Sequence, residues 1–225
     1  MYRNEKKYMI DSSTAAVISN RLSKLMTFDS NADENGYYRV TSLYFDDYIN
    51  SALNDNIIGQ MARKKYRIRV YDGNDSFIRL EKKIKHNKGG KKISERLTRE
   101  GYEKILACDY ESLMHDASSL LRGFAIEGIN RHLKPKVIVD YRRQTFICED
   151  GDVRITLDHD IQTSLGKLDL FATNNITRPA MLSGQVVMEV KYTGFLPDYI
   201  KDMIQLGMAR QQSISKYTLC RVNAF

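Results

Sequence analysis

The stretch "RKKYRIRVYDGNDSFIRLEKKIK", residues 63 to 85, decides how the chain folds. It contains two strand-like runs joined by a turn at Asp72, Gly73, Asn74 and Asp75. In the first run Lys65, Arg67, Arg69 and Tyr71 share one face, and Tyr66, Ile68 and Val70 share the other. The second run repeats the pattern: Arg79, Glu81, Lys83 and Lys85 oppose Ile78, Leu80 and Ile84, with Lys82 the main exception. Each strand therefore has one apolar face to bury and one charged face to use or to solvate.

Strand-like segments of the same kind recur at 3–10, 37–46, 91–97, 136–148, 153–161 and 186–194, which makes about eight in all. Helices are predicted at 12–26, 99–107, roughly 111–131, 197–206 and 213–222. The first would be capped by Ser12 or Ser13, and the fourth opened by Pro197. The turns "DGND" and "EDGD" favour antiparallel hairpins. The 225 residues suffice for one large core, and no Pro-, Gly- or Ser-rich linker interrupts them, so one domain over 1–225 is expected.

Thirty-five basic against 28 acidic residues give a formal charge of +7, which favours an anionic partner without naming it. Cys108, Cys148 and Cys220 form no CxxC pair and suit free thiols in a reducing compartment. The first residues, "MYRNEKKYMI", have no apolar run of signal-peptide length, and no stretch approaches the roughly 20 apolar residues of a membrane span. A cytoplasmic protein is expected.

Two α+β architectures could use such strands. In a sandwich the charged faces are simply solvated; in a closed antiparallel barrel covered by helices, the apolar faces meet the helices and the charges face a lumen. The sign of the charges favours the second. One face gathers Arg3, Lys7, Lys65, Arg67, Arg69, Arg79, Lys83, Arg143, Arg154 and Lys191, with only Glu5, Glu81, Asp158 and Glu189 interspersed. Like charges facing one another on paired strands cost tenths of a kcal/mol up to about 1 each. A polyanion in the lumen would offset that cost through charge-assisted contacts to phosphate oxygens.

Among the carboxylates, Glu189 in "MEVKY" is the metal candidate, because Mg2+ or Mn2+ needs few protein ligands when substrate phosphates complete its shell. Glu5 and Glu81, each set between cations, suit neutralisers at least as well. Ser213 or Ser215 precedes Lys216 at a helix start, where anions are attracted. His86, His115, His132 and His159 share no metal-ligand spacing. No GxxxxGK[ST], GxSxG or HExxH is present, and nucleophilic catalysis has no support.

The ordered set "RNEKKYMI", "TSLYFDD", "KYRIRVY", "RLEKKIK", "VDYRRQTF", "VRITLDHDI", "MEVKYTG" and "SISKY" resembles the catalytic domain of the vacuolar transporter chaperone (VTC) family, a CYTH-like branch of the triphosphate tunnel metalloenzymes. The resemblance implies an eight-stranded antiparallel β tunnel with a charged lumen. It implies a polyphosphate polymerase that moves the terminal phosphoryl group of ATP onto inorganic polyphosphate with Mn2+ or Mg2+. Carried over by position, Lys7 matches a phosphate contact, Arg67 and Arg69 the paired arginines, and Lys83 the lysine of the E-x-K strand. Tyr141 and Arg143 match the Y-x-R, Arg154 the arginine of "VRITLD", Glu189 the metal ligand, and Ser215 with Lys216 the Ser-Lys pair. Lys191 and Arg3 are added as phosphate-binding candidates from their inward face. Ser213 stands where the eukaryotic family is aligned with a basic residue. The membrane and lipid-sensing domains of the eukaryotic proteins have no counterpart here, so any membrane partner would be a separate chain. Two alternatives remain: a tri- or polyphosphate hydrolase on the same tunnel, and a non-catalytic binder of polyphosphate or RNA. Too few inward aromatics recommend RNA, and no nucleic acid partner is expected.

Overall fold

The computed structural model describes residues 3–86, 89–164, 167–172, 175, 177–205 and 209–223. It opens with β1 (Arg3–Asp11), α1 (Ser12–Leu22), β2 (Thr27–Phe28), β3 (Tyr37–Asp46) and α2 (Ser51–Ile57). The long ribbon β4 (Ala62–Tyr71), β5 (Asn74–His86) and β6 (Gly89–Leu97) comes next, followed by α3 (Arg99–Leu106), α4 (Tyr110–Leu113) and α5 (Ser119–Arg131). The chain continues through β7 (Lys134–Cys148), β8 (Val153–Ser164), β9 (Thr177–Pro179), β10 (Gln185–Thr193), α6 (Asp198–Met203) and α7 (Lys216–Val222). The architecture is α+β. Eight strands form one hydrogen-bonded path, β1-β10-β8-β7-β3-β4-β5-β6, with the short β2 and β9 appended to β7 and β8; the path is open, since among the described residues no ladder joins β6 to β1, and the hydrogen-bonded closure of the expected barrel is not made. These eight are the strands expected from the alternating pattern, and the registered ladders are antiparallel.

The residues cluster into two compact units, each assembled from separate segments. The first comprises Met1–Arg39, Tyr141–Ile161 and Met181–Ile214; the second comprises Val40–Asp140, Gln162–Ala180 and Ser215–Phe225. In the first, the apolar faces of β1, β8 and β10 (Ile10, Ile155, Leu157, Val186, Met188, Val190) pack with Ile18 and Leu22 of α1 and Ile200 of α6. In the second, Leu43, Phe45, Tyr66, Ile68, Ile78 and Leu80 pack with Tyr102, Ile105, Leu121 and Phe124 from the helices. Helices therefore cover the apolar strand faces in both units, as the sign of the opposite faces requires.

Lys82, the exception in the alternation, lies on this helix-covered side. Its ammonium meets the Glu127 carboxylate of α5 at 2.9 Å and lies 4.9 Å from the centre of the Tyr66 ring. Glu127 also takes Lys64 at 2.6 Å and the Tyr66 hydroxyl at 2.9 Å. One carboxylate thus satisfies two cations and a phenol on an otherwise apolar face, which makes the lysine compatible with burial.

Three local expectations change. The N-cap of α1 is Asp11, not Ser12 or Ser13: its carboxylate accepts the Thr14 amide at 2.8 Å and the hydroxyls of Thr14 and Ser13. The single helix expected over 111–131 is two, because Asp116 takes the Ser118 amide at 2.8 Å and Ser118 then caps α5 by accepting the Leu121 amide at 3.0 Å. The short α2 is unforeseen. Its first amides are capped from several residues upstream, Ala52 and Leu53 by Asp46 at 2.9 and 3.1 Å and Ser51 by Asp47 at 2.8 Å.

Gly128 of α5 lies against the Tyr110 ring: a Cβ there would stand 2.6 Å from ring carbons. Replacing Gly128 by Ala is expected to lower stability by about 1–3 kcal/mol, the range for an overpacked core. Thermal unfolding measures it. An unchanged melting temperature would show that Tyr110 yields without cost.

Candidate active site

The predicted site residues fall into two sets, one in each unit. In the first unit, register places Glu5 opposite Lys191 and Lys191 opposite Arg154, with Lys7 opposite Glu189 and Glu189 opposite Thr156. Charges on this face are paired. Lys7 lies 3.0 Å from Glu5 and donates to the Ile214 carbonyl at 3.1 Å. Lys191 meets Glu189 at 2.8 Å. Arg143 grips Asp158 with both prongs, Nε to Oδ1 at 2.6 Å and Nη2 to Oδ2 at 2.9 Å, and lies 5.2 Å from the Tyr141 ring centre. Arg154 donates to Asp29 at 2.8 Å and to the Tyr38 hydroxyl at 3.3 Å. Burial lowers the Lys191 pKa and Arg143 adds to this, against the pull of Glu189 and Glu5. The Arg3 side chain lies outside the described residues.

Glu189 is 5% exposed, and its cross-strand neighbour Thr156 has a buried hydroxyl with no hydrogen-bond partner. Among the described residues no group of three or more His, Cys, Asp or Glu side chains could hold a metal. Glu189 and the Thr156 hydroxyl are hard oxygen donors. They fit Mg2+ or Mn2+ provided that most of the shell comes from phosphate and water, as is usual for Mg2+.

The second unit is different in kind. Across β4, β5 and β6, one rung aligns Arg69, Arg79 and Arg96, the middle one Arg67, Glu81 and Ser94, and another Lys65, Lys83 and Lys92. Arg67 donates from Nε to Glu81 Oε2 at 2.7 Å and from Nη1 to the Tyr44 hydroxyl at 2.9 Å. Lys92 approaches the other Glu81 oxygen at 3.2 Å. Arg69 donates to Ser42 at 3.1 Å. Lys65 donates to Asn56 at 2.8 Å and to Ser215 at 3.2 Å, and stands over the Tyr217 ring. Ser215 is the N-cap of α7 and Lys216 its first residue, as the sequence suggests.

Electrostatics tie these groups together. Burial would raise the Tyr44 phenol, but Arg67, Arg69 and Lys216 together lower it. Burial would also raise the Glu81 carboxyl; Arg67, Arg69 and Lys92 outweigh this and bring it to about 2. Glu81 is therefore a neutraliser with both oxygens engaged, and a weak base for activating water. Sequence reasoning missed Tyr44 and Asn56. Tyr44 had a signal, its position in "TSLYFDD" on a strand pairing with β4. Asn56 had none, because α2 itself was unforeseen.

Residues 2–224 match the VTC domain. The chain belongs to the VTC domain family. Its fold is similar to that of an adenylyl-cyclase-like protein from Hippeastrum, described with a dominant triphosphatase activity. The match has 14% identity and a TM-score of 0.60, covering 100% of this chain and 97% of that one. An adenylate-cyclase-like protein from Bacillus halodurans matches with 14% identity and a TM-score of 0.50, over 91% of this chain and 88% of that one. At this identity both likenesses are of fold alone, and they agree with the fold that the family resemblance implied. No curated protein matches the chain.

Glu81→Gln tests the central ion pair. A carboxyl lowered from 4.5 to about 2 stabilises the fold fully above 4.5, and that contribution is lost as pH falls toward 2. The variant is expected to be less stable at pH 7 by about 2–3 kcal/mol, with the gap closing over that acid range. Denaturant unfolding at a series of pH values measures it, and a pH-independent gap would contradict this role.

Proposed function

We propose that this VTC domain is a metal-dependent phosphotransferase that extends inorganic polyphosphate with the terminal phosphoryl group of ATP. The observation that carries the reading is the convergence of Arg67, Arg69 and Lys216 on the buried Tyr44, with Lys65 and Lys83 on the same strands and Glu81 between them. A face this rich in cations suits a polyanion with closely spaced phosphates. Family membership directs the choice to polyphosphate.

In this reading Arg67, Arg69, Lys83 and Lys216 hold the triphosphate oxygens, and Ser215 steadies Lys65 beside them. Glu81 fixes the Arg67 fork from one side, so that the guanidinium meets phosphate without reorganising. A terminal oxygen of the polyphosphate chain attacks the γ-phosphorus; the bond from that phosphorus to the β,γ-bridging oxygen breaks, and ADP leaves with the electron pair. No protein nucleophile is needed, since phosphoryl transfer asks chiefly for positioning and charge stabilisation. Lys7, Tyr141, Arg143, Arg154 and Lys191 are assigned to phosphate contacts by the family resemblance, with Asp158 orienting Arg143. Glu189, with Thr156, would hold Mn2+ or Mg2+, which when bound neutralises charge developing on the leaving oxygen.

Hydrolysis is the second reading, favoured by the triphosphatase activity of the Hippeastrum protein. Against it stands the engagement of Glu81, which leaves that carboxylate poorly suited to activate water. Purified protein incubated with ATP and Mn2+ separates the readings when ADP, free phosphate and long-chain polyphosphate are followed together. ADP with accumulating polymer is expected. ADP matched by free phosphate would make it a hydrolase, and no turnover would leave a binder. Arg67→Ala and Arg69→Ala are each expected to lower kcat/KM by about 10²–10³, the scale of losing one preorganised charge-stabilising donor. Glu189→Gln should raise the Mn2+ concentration needed for half-maximal turnover; an unchanged metal dependence would remove Glu189 from that role.

A further inference from the structure

The short α2 and its flanks, all within the second unit, carry an apolar surface that the fold does not bury. Tyr48 and Ile49 precede the helix, Ile57 ends it, and Ile58 and Met61 follow; they are 72%, 56%, 60%, 71% and 68% exposed. A third of the exposed large apolar side chains among the described residues thus fall between positions 48 and 61. Helical spacing sets the sides. Ala52 and Asn56 turn inward: Ala52 is buried, and the Asn56 carboxamide accepts Lys65 at 2.8 Å. Asn54, Ile57 and Ile58, three and four positions apart, therefore face outward. The Asn54 side chain donates to the Ile49 carbonyl at 3.0 Å and the Gln60 amide to the Asp55 carbonyl at 2.8 Å, so both flanks fold back on the helix.

Single exposed apolar residues are ordinary; a cluster of five calls for a partner. At roughly 200 Å² for a fully exposed large side chain, the five present about 650 Å². That exceeds the roughly 300–600 Å² of the largest patch on a typical monomer. It approaches the about 800 Å² that each partner gives to a stable protein–protein interface.

Charge selects the occupant. The Asp55 carboxylate of α2 makes no hydrogen bond or ion pair among the described residues. Arg63, at the start of β4, donates from Nη1 to the Gln60 carbonyl at 2.6 Å, which engages one of its five N–H groups. A surface that holds an unengaged carboxylate and a guanidinium with donors to spare is complementary to itself. An anionic lipid surface would attract Arg63 and repel Asp55. The same two residues line a cavity of about 360 Å³ whose apolar lining includes Phe45, Ala52, Tyr66 and Leu133. Each copy thus offers projecting apolar side chains and a recess large enough to take one.

We propose that this surface is the interface of a twofold-symmetric dimer of the chain, with Asp55 of each copy against the partner's Arg63 around a core of Ile57, Ile58 and Met61. A twofold contact pairs one patch with itself, as self-complementary charges require. An apolar core with Tyr, Met and Arg among its residues has the composition of such interfaces. The inference is independent of the reaction that the domain performs.

Sedimentation equilibrium of the full chain from about 1 to about 100 μM tests it, a range that separates weak from stable association. A dimer is expected. Ile57→Glu with Ile58→Glu should raise the dissociation constant about 30-fold or more, the scale of losing an interface hot spot. Asp55→Arg and Arg63→Asp should each weaken the dimer about tenfold by setting like charges together. Mixed in equal amounts, these two single variants should form a heterodimer near the parent's affinity, because both cross-contacts then join opposite charges. Misfolding cannot produce that rescue. A parent that is monomeric throughout would overturn the proposal, as would a dimer unmoved by the isoleucine pair, or single variants that fail to pair on mixing. A monomeric parent that sediments with phosphatidylserine vesicles, and loses this with the isoleucine pair changed, would give the surface to lipid instead.

Discussion

Cations that face one another across paired strands repel, and much of this protein is organised by how each repulsion is met. In the first unit they are met by carboxylates: Lys191 by Glu189, Lys7 by Glu5, Arg154 by Asp29, and Arg143 by both oxygens of Asp158. In the second, Glu81 sits between Arg67 and Lys92 while arginines align with arginines and lysines with lysines. The first face is internally neutralised. The three rungs of the second set seven cations beside one carboxylate, so like charges are neighbours there.

The opposite faces supply the stability that lets such an array persist. Each strand alternates, so every inward cation is flanked by residues such as Ile68, Leu80, Ile155 or Val190 that pack under helices. Phe124 of α5 meets the rings of Phe45, Tyr66 and Tyr110 at centroid distances of 5.1, 5.0 and 5.8 Å. Lys82 shows how strongly the alternation is enforced: a cation on the apolar side is kept only with a carboxylate from the covering helix and an aromatic ring beneath it.

The strands were legible because a period of two with strongly contrasting faces survives any tertiary context that buries one face. The eight long strands follow it closely, and "SISKY" marks a capped helix start that Ser215 provides. What escaped notice depends on distant partners. The α2 helix is seven residues long, and its caps, Asp46 and Asp47, lie upstream in the preceding strand and loop. Tyr44 gains its place only when β3 pairs with β4, and Arg143 and Arg154 read as cations like any others until Asp158 and Asp29 are seen to hold them.

The sequence by itself determined the α+β class, the eight strands, the sides on which charges and apolar residues fall, and the family. Alternation and residue type are local properties, and they are written in order along the chain. Only the tertiary structure decided which carboxylate meets which cation and which cations align with one another. That is a matter of register: a shift of one residue in a single ladder would exchange the faces and every partner on them.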